Sequence, residues 1–165
     1  MKLKIILASS LVISITLIIF FLTGGLGLNK TNIHAFDEHV GNWVVYEIMD
    51  NGAENKTSES WVGYYEENSF IVNAQSSMGE HTWIYSFDEE SHEFHAESKQ
   101  NNKIVKMIGR YNPQKKEFTF KGKNNDLDCT VKYWVENNQS FTQVSISKNE
   151  KRVAVFNKRN EKISP

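Results

Sequence analysis

Cysteine, proline and long runs of one charge are what this 165-residue sequence has least of. Cys129 is the only cysteine, so an internal disulfide is excluded and the domain must rest on its apolar core. Proline occurs twice, at Pro113 and at the last position, Pro165. The 19 Lys and Arg and the 20 Asp and Glu are interspersed, and the net charge is −1. Charges mixed in this way offer no basic patch to nucleic acid or to an anionic lipid surface. Catalytic signatures are missing too: there is no G-x-S-x-G elbow, no H-E-x-x-H and no glycine-rich phosphate loop. Glu47, Glu97 and Glu117 are isolated carboxylates. Neither a catalytic residue nor a cofactor is expected, and the chain does not read as an enzyme. His92 and His95 stand three apart, which on a strand sends them to opposite faces, and His81 falls at the far end of the preceding strand. No metal site is expected from them. From Gly41 onward no stretch repeats apolar residues at i, i+3, i+4 and i+7, which argues against an α-helical domain.

What is present begins with an uncharged segment. Lys2 and Lys4 precede Ile5–Leu28, which is dense in Ile, Leu and Phe. Residues 1–28 therefore read as a membrane anchor or a signal peptide, 29–40 as a linker or lead-in, and 41–160 as the folded domain. The run Ile5–Leu22 exceeds the roughly 7–15 apolar residues of a signal peptide. A helix over 5–28 would reach about 36 Å, enough to cross a hydrocarbon core of roughly 30 Å. An uncleaved anchor is the favoured reading, with Gly25 and Gly27 supplying −3 and −1 positions if the leader is cut. The two lysines would hold the N-terminus inside and carry the domain outside the cytoplasm. The domain is then membrane-anchored through residues 5–28, or secreted or periplasmic after cleavage. No cysteine stands directly after the run, so a lipoprotein anchor is excluded.

The rest of the chain alternates with period two. About ten candidate strands rich in Val, Ile, Thr and aromatic residues are separated by Asn, Gly, Asp and Lys clusters, from Trp43–Met49 to Lys151–Lys158. Turn chemistry then predicts register, and register predicts which side chains share a face. Asn137-Asn138 tolerates the positive φ of a type I′ turn and sets Tyr133 opposite Thr142, Val131 opposite Val144 and Cys129 opposite Ile146. Asn149-Glu150 adds Ile146 with Val153 and Val144 with Val155. Asn101-Asn102 pairs Ser98 with Val105, Ala96 with Met107 and Phe94 with Gly109. Glu89-Glu90 pairs Tyr85 with Phe94 and Trp83 with Ala96. The turn Asn112-Pro113-Gln114-Lys115 pairs Met107 with Phe120 and Gly109 with Phe118, but leaves Lys106 facing Lys121. In Trp43–Met49 either Trp43, Val45, Glu47 and Met49 or Val44, Tyr46 and Ile48 point inward. A meander of this kind with one apolar face and no helix to cover it predicts an all-β, up-and-down antiparallel barrel, with a two-sheet sandwich as the alternative.

Gly41-Asn42-Trp43, opening the first strand after Phe36–Val40, resembles the G-x-W start of lipocalin-like barrels. Tyr85-Ser86-Phe87-Asp88, Gly109-Arg110-Tyr111-Asn112-Pro113 and Phe118-Thr119-Phe120 continue the likeness, which covers roughly 36–159 and is similar to uncharacterised bacterial lipocalin-like families. The resemblance implies a calyx with an interior pocket and no reaction. It also implies a basic residue covering the Trp, here Arg152 or Arg159. The related nitrobindins hold haem through a late His, but no His follows His95, so haem is not carried over.

Trp83, Tyr85, Phe94, Met107, Phe118, Phe120 and Tyr133, with Thr142 and Asn157, are the expected lining of a pocket for a small apolar ligand. The competing expectation is a filled barrel that acts as an interaction or structural module through outward aromatic residues, Trp134, Phe141 and Phe156.

Overall fold

The computed structural model describes residues 32–77, 79–100 and 103–163; the apolar segment 5–28 lies outside them. Ten strands follow one another: β1 (Gly41–Ile48), β2 (Glu54–Glu66), β3 (Ser69–Ser76), β4 (Gly79–Asp88), β5 (Glu93–Gln100), β6 (Lys103–Asn112), β7 (Glu117–Asn124), β8 (Leu127–Glu136), β9 (Gln139–Lys148) and β10 (Lys151–Ile163). Each is antiparallel to its chain neighbours, and β10 returns to pair with β1. The result is a closed up-and-down barrel, not a sandwich, and no strand edge is left unpaired.

Several registers follow the turn chemistry directly. Asn137 and Asn138 both adopt positive φ (51° and 61°), and Tyr133, Val131 and Cys129 face Thr142, Val144 and Ile146. Across β5 and β6, Ser98, Ala96 and Phe94 face Val105, Met107 and Gly109, although Asn101 and Asn102 lie outside the described residues.

Two hairpins are displaced by two residues. Phe94 faces Phe87 and Ala96 faces Tyr85, because Asp88 Oδ1 accepts from the Glu90 and Ser91 amides and His92 turns the chain at φ +55°. Asn112 Oδ1 likewise accepts from the Gln114 and Lys115 amides, Lys116 takes φ +49°, and Phe118 and Phe120 face Tyr111 and Gly109. A two-residue shift keeps every side chain on its face. It also dissolves the Lys106–Lys121 clash: Lys106 Nζ lies 3.1 Å from Glu97, and Lys121 faces Ile108.

β10 is displaced by one, which matters more. Asn149 and Glu150 make the expected tight turn (φ 50° and 64°), but a bulge between Arg152 and Ala154 sets Ile146 opposite Ala154 and Val144 opposite Phe156. A one-residue slip exchanges the two faces of a strand. Val155 and Asn157 turn outward, while Lys158, Asn160 and Lys162 turn inward. Phe156, expected outside, sits on the inner side at the rim beyond the end of β1 and stays 42% exposed. The same ladder resolves β1: Trp43, Val45 and Glu47 face Lys162, Asn160 and Lys158 and point inward.

The lead-in is no mere linker. Ile33–His39 forms a 3₁₀ turn capped by Asn32, whose Oδ1 accepts from His34 N at 2.9 Å. It plugs one end of the barrel with Phe36, which stacks on Phe70 (4.6 Å) and Phe118 (4.1 Å) and meets Phe94 edge-on. Each such contact adds about 1 kcal/mol beyond burial. Gly63 permits the approach, since a Cβ there would stand 2.6 Å from the His39 carbonyl oxygen. Tyr65 Oη donates to Asp37 at 2.7 Å, Lys116 pairs with Glu38, and Trp43 Nε1 donates to the His39 carbonyl at 3.0 Å. Lys162, and neither Arg152 nor Arg159, covers the Trp43 ring at 5.6 Å. It crosses over Gly41, whose φ of +128° and missing Cβ leave the room. Arg159 lies outside, 4.3 Å above Tyr46 and 2.7 Å from Glu54.

Two outcomes follow from this packing. Phe36→Ala is expected to lower unfolding free energy by about 3–5 kcal/mol in urea titrations. His39 is buried with both ring nitrogens unpartnered, and burial lowers its pKa from 6.5 to about 4 against the pull of Glu38. The unfolded chain thus takes up this proton first, so stability present at neutral pH is lost as pH falls from about 6.5 to about 4, by roughly 3 kcal/mol. Denaturation across that window should show a markedly shallower pH dependence in His39→Leu.

Candidate ligand-binding cavity

The barrel's inner face is more apolar than it is full. Above the plug, β-branched and aromatic side chains that alternate inward from every strand leave a cavity of about 720 Å³. Its wall includes Val45, Val72, Trp83, Val105, Met107, Val131, Val144 and Ile146, with Phe36 and Phe70 at the plugged end. Away from the plug it reaches Ser76 and Asn124, beside the β3–β4 and β7–β8 hairpins.

Of the residues expected to line a pocket, Trp83, Tyr85, Met107, Tyr133 and Thr142 border this cavity. Phe94, Phe118 and Phe120 point inward but do not border it. They are at most 1% exposed and pack on one another and on Phe36 of the lead-in. Asn157 is a correction: the β10 bulge puts it outside, where its Oδ1 accepts from Gln143 Nε2 at 2.8 Å. Asn160 takes the inward place. It accepts from Trp61 Nε1 at 3.3 Å and donates towards the Ser140 carbonyl and Thr142 Oγ1, both at 3.2 Å.

Polar side chains also line the wall, and several of them pair with one another. The Tyr85 and Tyr133 hydroxyls lie 3.2 Å apart, and burial raises both pKa values, so both stay protonated. Glu59 and Lys158, from the two strands that flank β1, pair with each other, and His81, also on the wall, has a buried Nδ1 without a partner. Burial lowers the His81 pKa, opposed by Glu59, which favours the neutral ring. Burial raises the pKa of Cys129, so the thiol is a small apolar wall group and no thiolate nucleophile. Among the described residues no three His, Cys, Asp or Glu side chains come together in a way that could hold a metal ion.

Glu59, Trp61, His81, Lys158 and Asn160 were not expected at the site. The one available signal was Val153-Ala154-Val155-Phe156, four apolar residues in a row where alternation breaks, which is where the bulge falls.

Asn160→Leu leaves Trp61 Nε1 and the Ser140 carbonyl without this partner. Thermal melts should show a loss of about 2 kcal/mol in spite of the added apolar volume.

No protein-family model matches this chain, and no curated protein matches it.

Proposed function

We propose that this chain is a binding protein whose barrel holds one small, mainly apolar ligand, carried outside the cytoplasm on its N-terminal apolar segment. The single observation behind the reading is the cavity. About 720 Å³ bordered mostly by apolar side chains lies within the roughly 300–1,000 Å³ usual for ligand sites. A barrel acting only through its outer face has no need of that space, since packed interiors leave few voids larger than a water. The resemblance to lipocalin-like families supports the same reading. The outward pair expected to serve an interaction module gives that alternative little support: Trp134 and Phe141 stack on each other at 5.4 Å and are only partly exposed.

The test is to equilibrate the purified chain with a total lipid extract, remove unbound material, and weigh what remains by mass spectrometry. The expected result is about one small molecule per chain. Val144→Trp, which takes up part of the cavity, should retain less while keeping its β-sheet circular dichroism. A folded chain that retains nothing overturns the proposal.

A further inference from the structure

The cavity carries more charge than an apolar ligand needs. Glu59 on β2 and Lys158 on β10 both border it and pair with each other at 30% and 28% side-chain exposure. Both are brought to the lumen where the ladders are irregular. In β2 the register shifts between the pairs Val44–Ser60 and Tyr46–Lys56, and Thr57 Oγ1 there donates to the Val45 carbonyl at 2.9 Å. In β10 the bulge at Val153 turns Lys158 inward. Drawing an ion pair out of bulk water costs several kcal/mol per ion before any attraction is counted. Barrel closure does not require it, because a valine or threonine at either place would pair its backbone equally well. His81, whose buried Nδ1 has no partner, borders the same space. Glu47 faces Lys158 across the ladder but does not border the cavity.

Resting on the binding reading above, we propose that the ligand is an amphiphile with an uncharged, hydrogen-bonding head group of the alcohol or glyceride kind, held by Glu59, Lys158 and His81. The charge logic selects it. Lys158 has three N–H donors and gives one to Glu59, leaving donors for a head-group oxygen. Glu59 has lone pairs left to accept a hydroxyl proton, and His81 Nδ1 offers one more contact. A hydroxyl therefore adds to the pair without breaking it. A carboxylate head must pull Lys158 away from Glu59 and leave that carboxylate beside a second anion. An ammonium head must do the reverse. Either loses the pair, and leaving one charge of a partly buried pair without its partner is the costly event.

Decanol, decanoate and decylammonium share one tail and differ only in the head. Each is titrated into the purified chain at neutral pH and followed by the fluorescence of Trp61 and Trp83, which border the cavity. Decanol should bind at least about tenfold more tightly than either ion, a difference of about 1.4 kcal/mol. Glu59→Gln frees Lys158 and should raise the affinity for decanoate relative to decanol about tenfold. Lys158→Gln should do the same for decylammonium. Decanoate or decylammonium binding the unaltered chain as tightly as decanol overturns the head-group assignment and leaves the binding reading standing, even if a variant fails to fold. So do folded variants that show no switch of charge preference. If none of the three binds and the lipid-extract experiment also returns an empty chain, the binding reading itself fails.

Discussion

The ladder that joins β10 to β1 is the constraint on which the rest depends. It converts a meander into a barrel, and its register decides what the interior contains. Trp43, Val45 and Glu47 face Lys162, Asn160 and Lys158, so the two ends of the folded unit jointly supply one stretch of the inner wall. That register is inherited from the bulge at Val153, where one extra residue rotates all that follows by one face. Without the bulge, Asn157 and the Arg159 guanidinium would point into the lumen, and Lys158 would lie outside. The local irregularity thus determines the chemistry of the cavity far more than any single lining residue does.

The plug makes the cavity one-ended. Phe36 inserts between Phe70 and Phe118, and the turn that carries it is tied to the barrel by Tyr65, by the Glu38–Lys116 pair and by the Trp43 indole. These ties join the lead-in to β1, β2 and the β6–β7 loop. The aromatic residues nearest the plug are consumed in mutual packing. Those further along the same strands have no such insert to pack on, and that is where space remains.

A largely apolar wall that carries one ion pair and, on His39 and His81, buried imidazole nitrogens without partners is a mixed environment. The apolar area favours burial of a tail without regard to its identity, while the polar groups impose a penalty on any head that does not meet them. Affinity and selectivity are in this way lodged in different residues. The wall valines would set how much of a ligand is buried, and Glu59, Lys158 and His81 would set which ligand tolerates that burial.

Strand number, topology and most of the inner face were legible in the chain, because alternation and turn chemistry act within a few residues of each other. Asn137-Asn138 shows this best: two residues able to hold positive φ fix a hairpin, and the hairpin fixes nine cross-strand pairs. Longer loops closed by Asp88 and Asn112 side chains moved two registers by two, which period-two reasoning survives without a change of face. By itself, then, the sequence determined an all-β meander with a coherent apolar side. Tertiary structure alone decided three things: the register in which β10 meets β1, that Phe36 fills one end, and that Lys158 and Asn160 face the lumen in place of Asn157. Each depends on contacts between residues distant in the chain, about 100 positions apart for Glu59 and Lys158. A bulge shows in sequence as no more than a lapse in alternation, since its one unpaired residue is stabilised by the partner strand and not by its own neighbours.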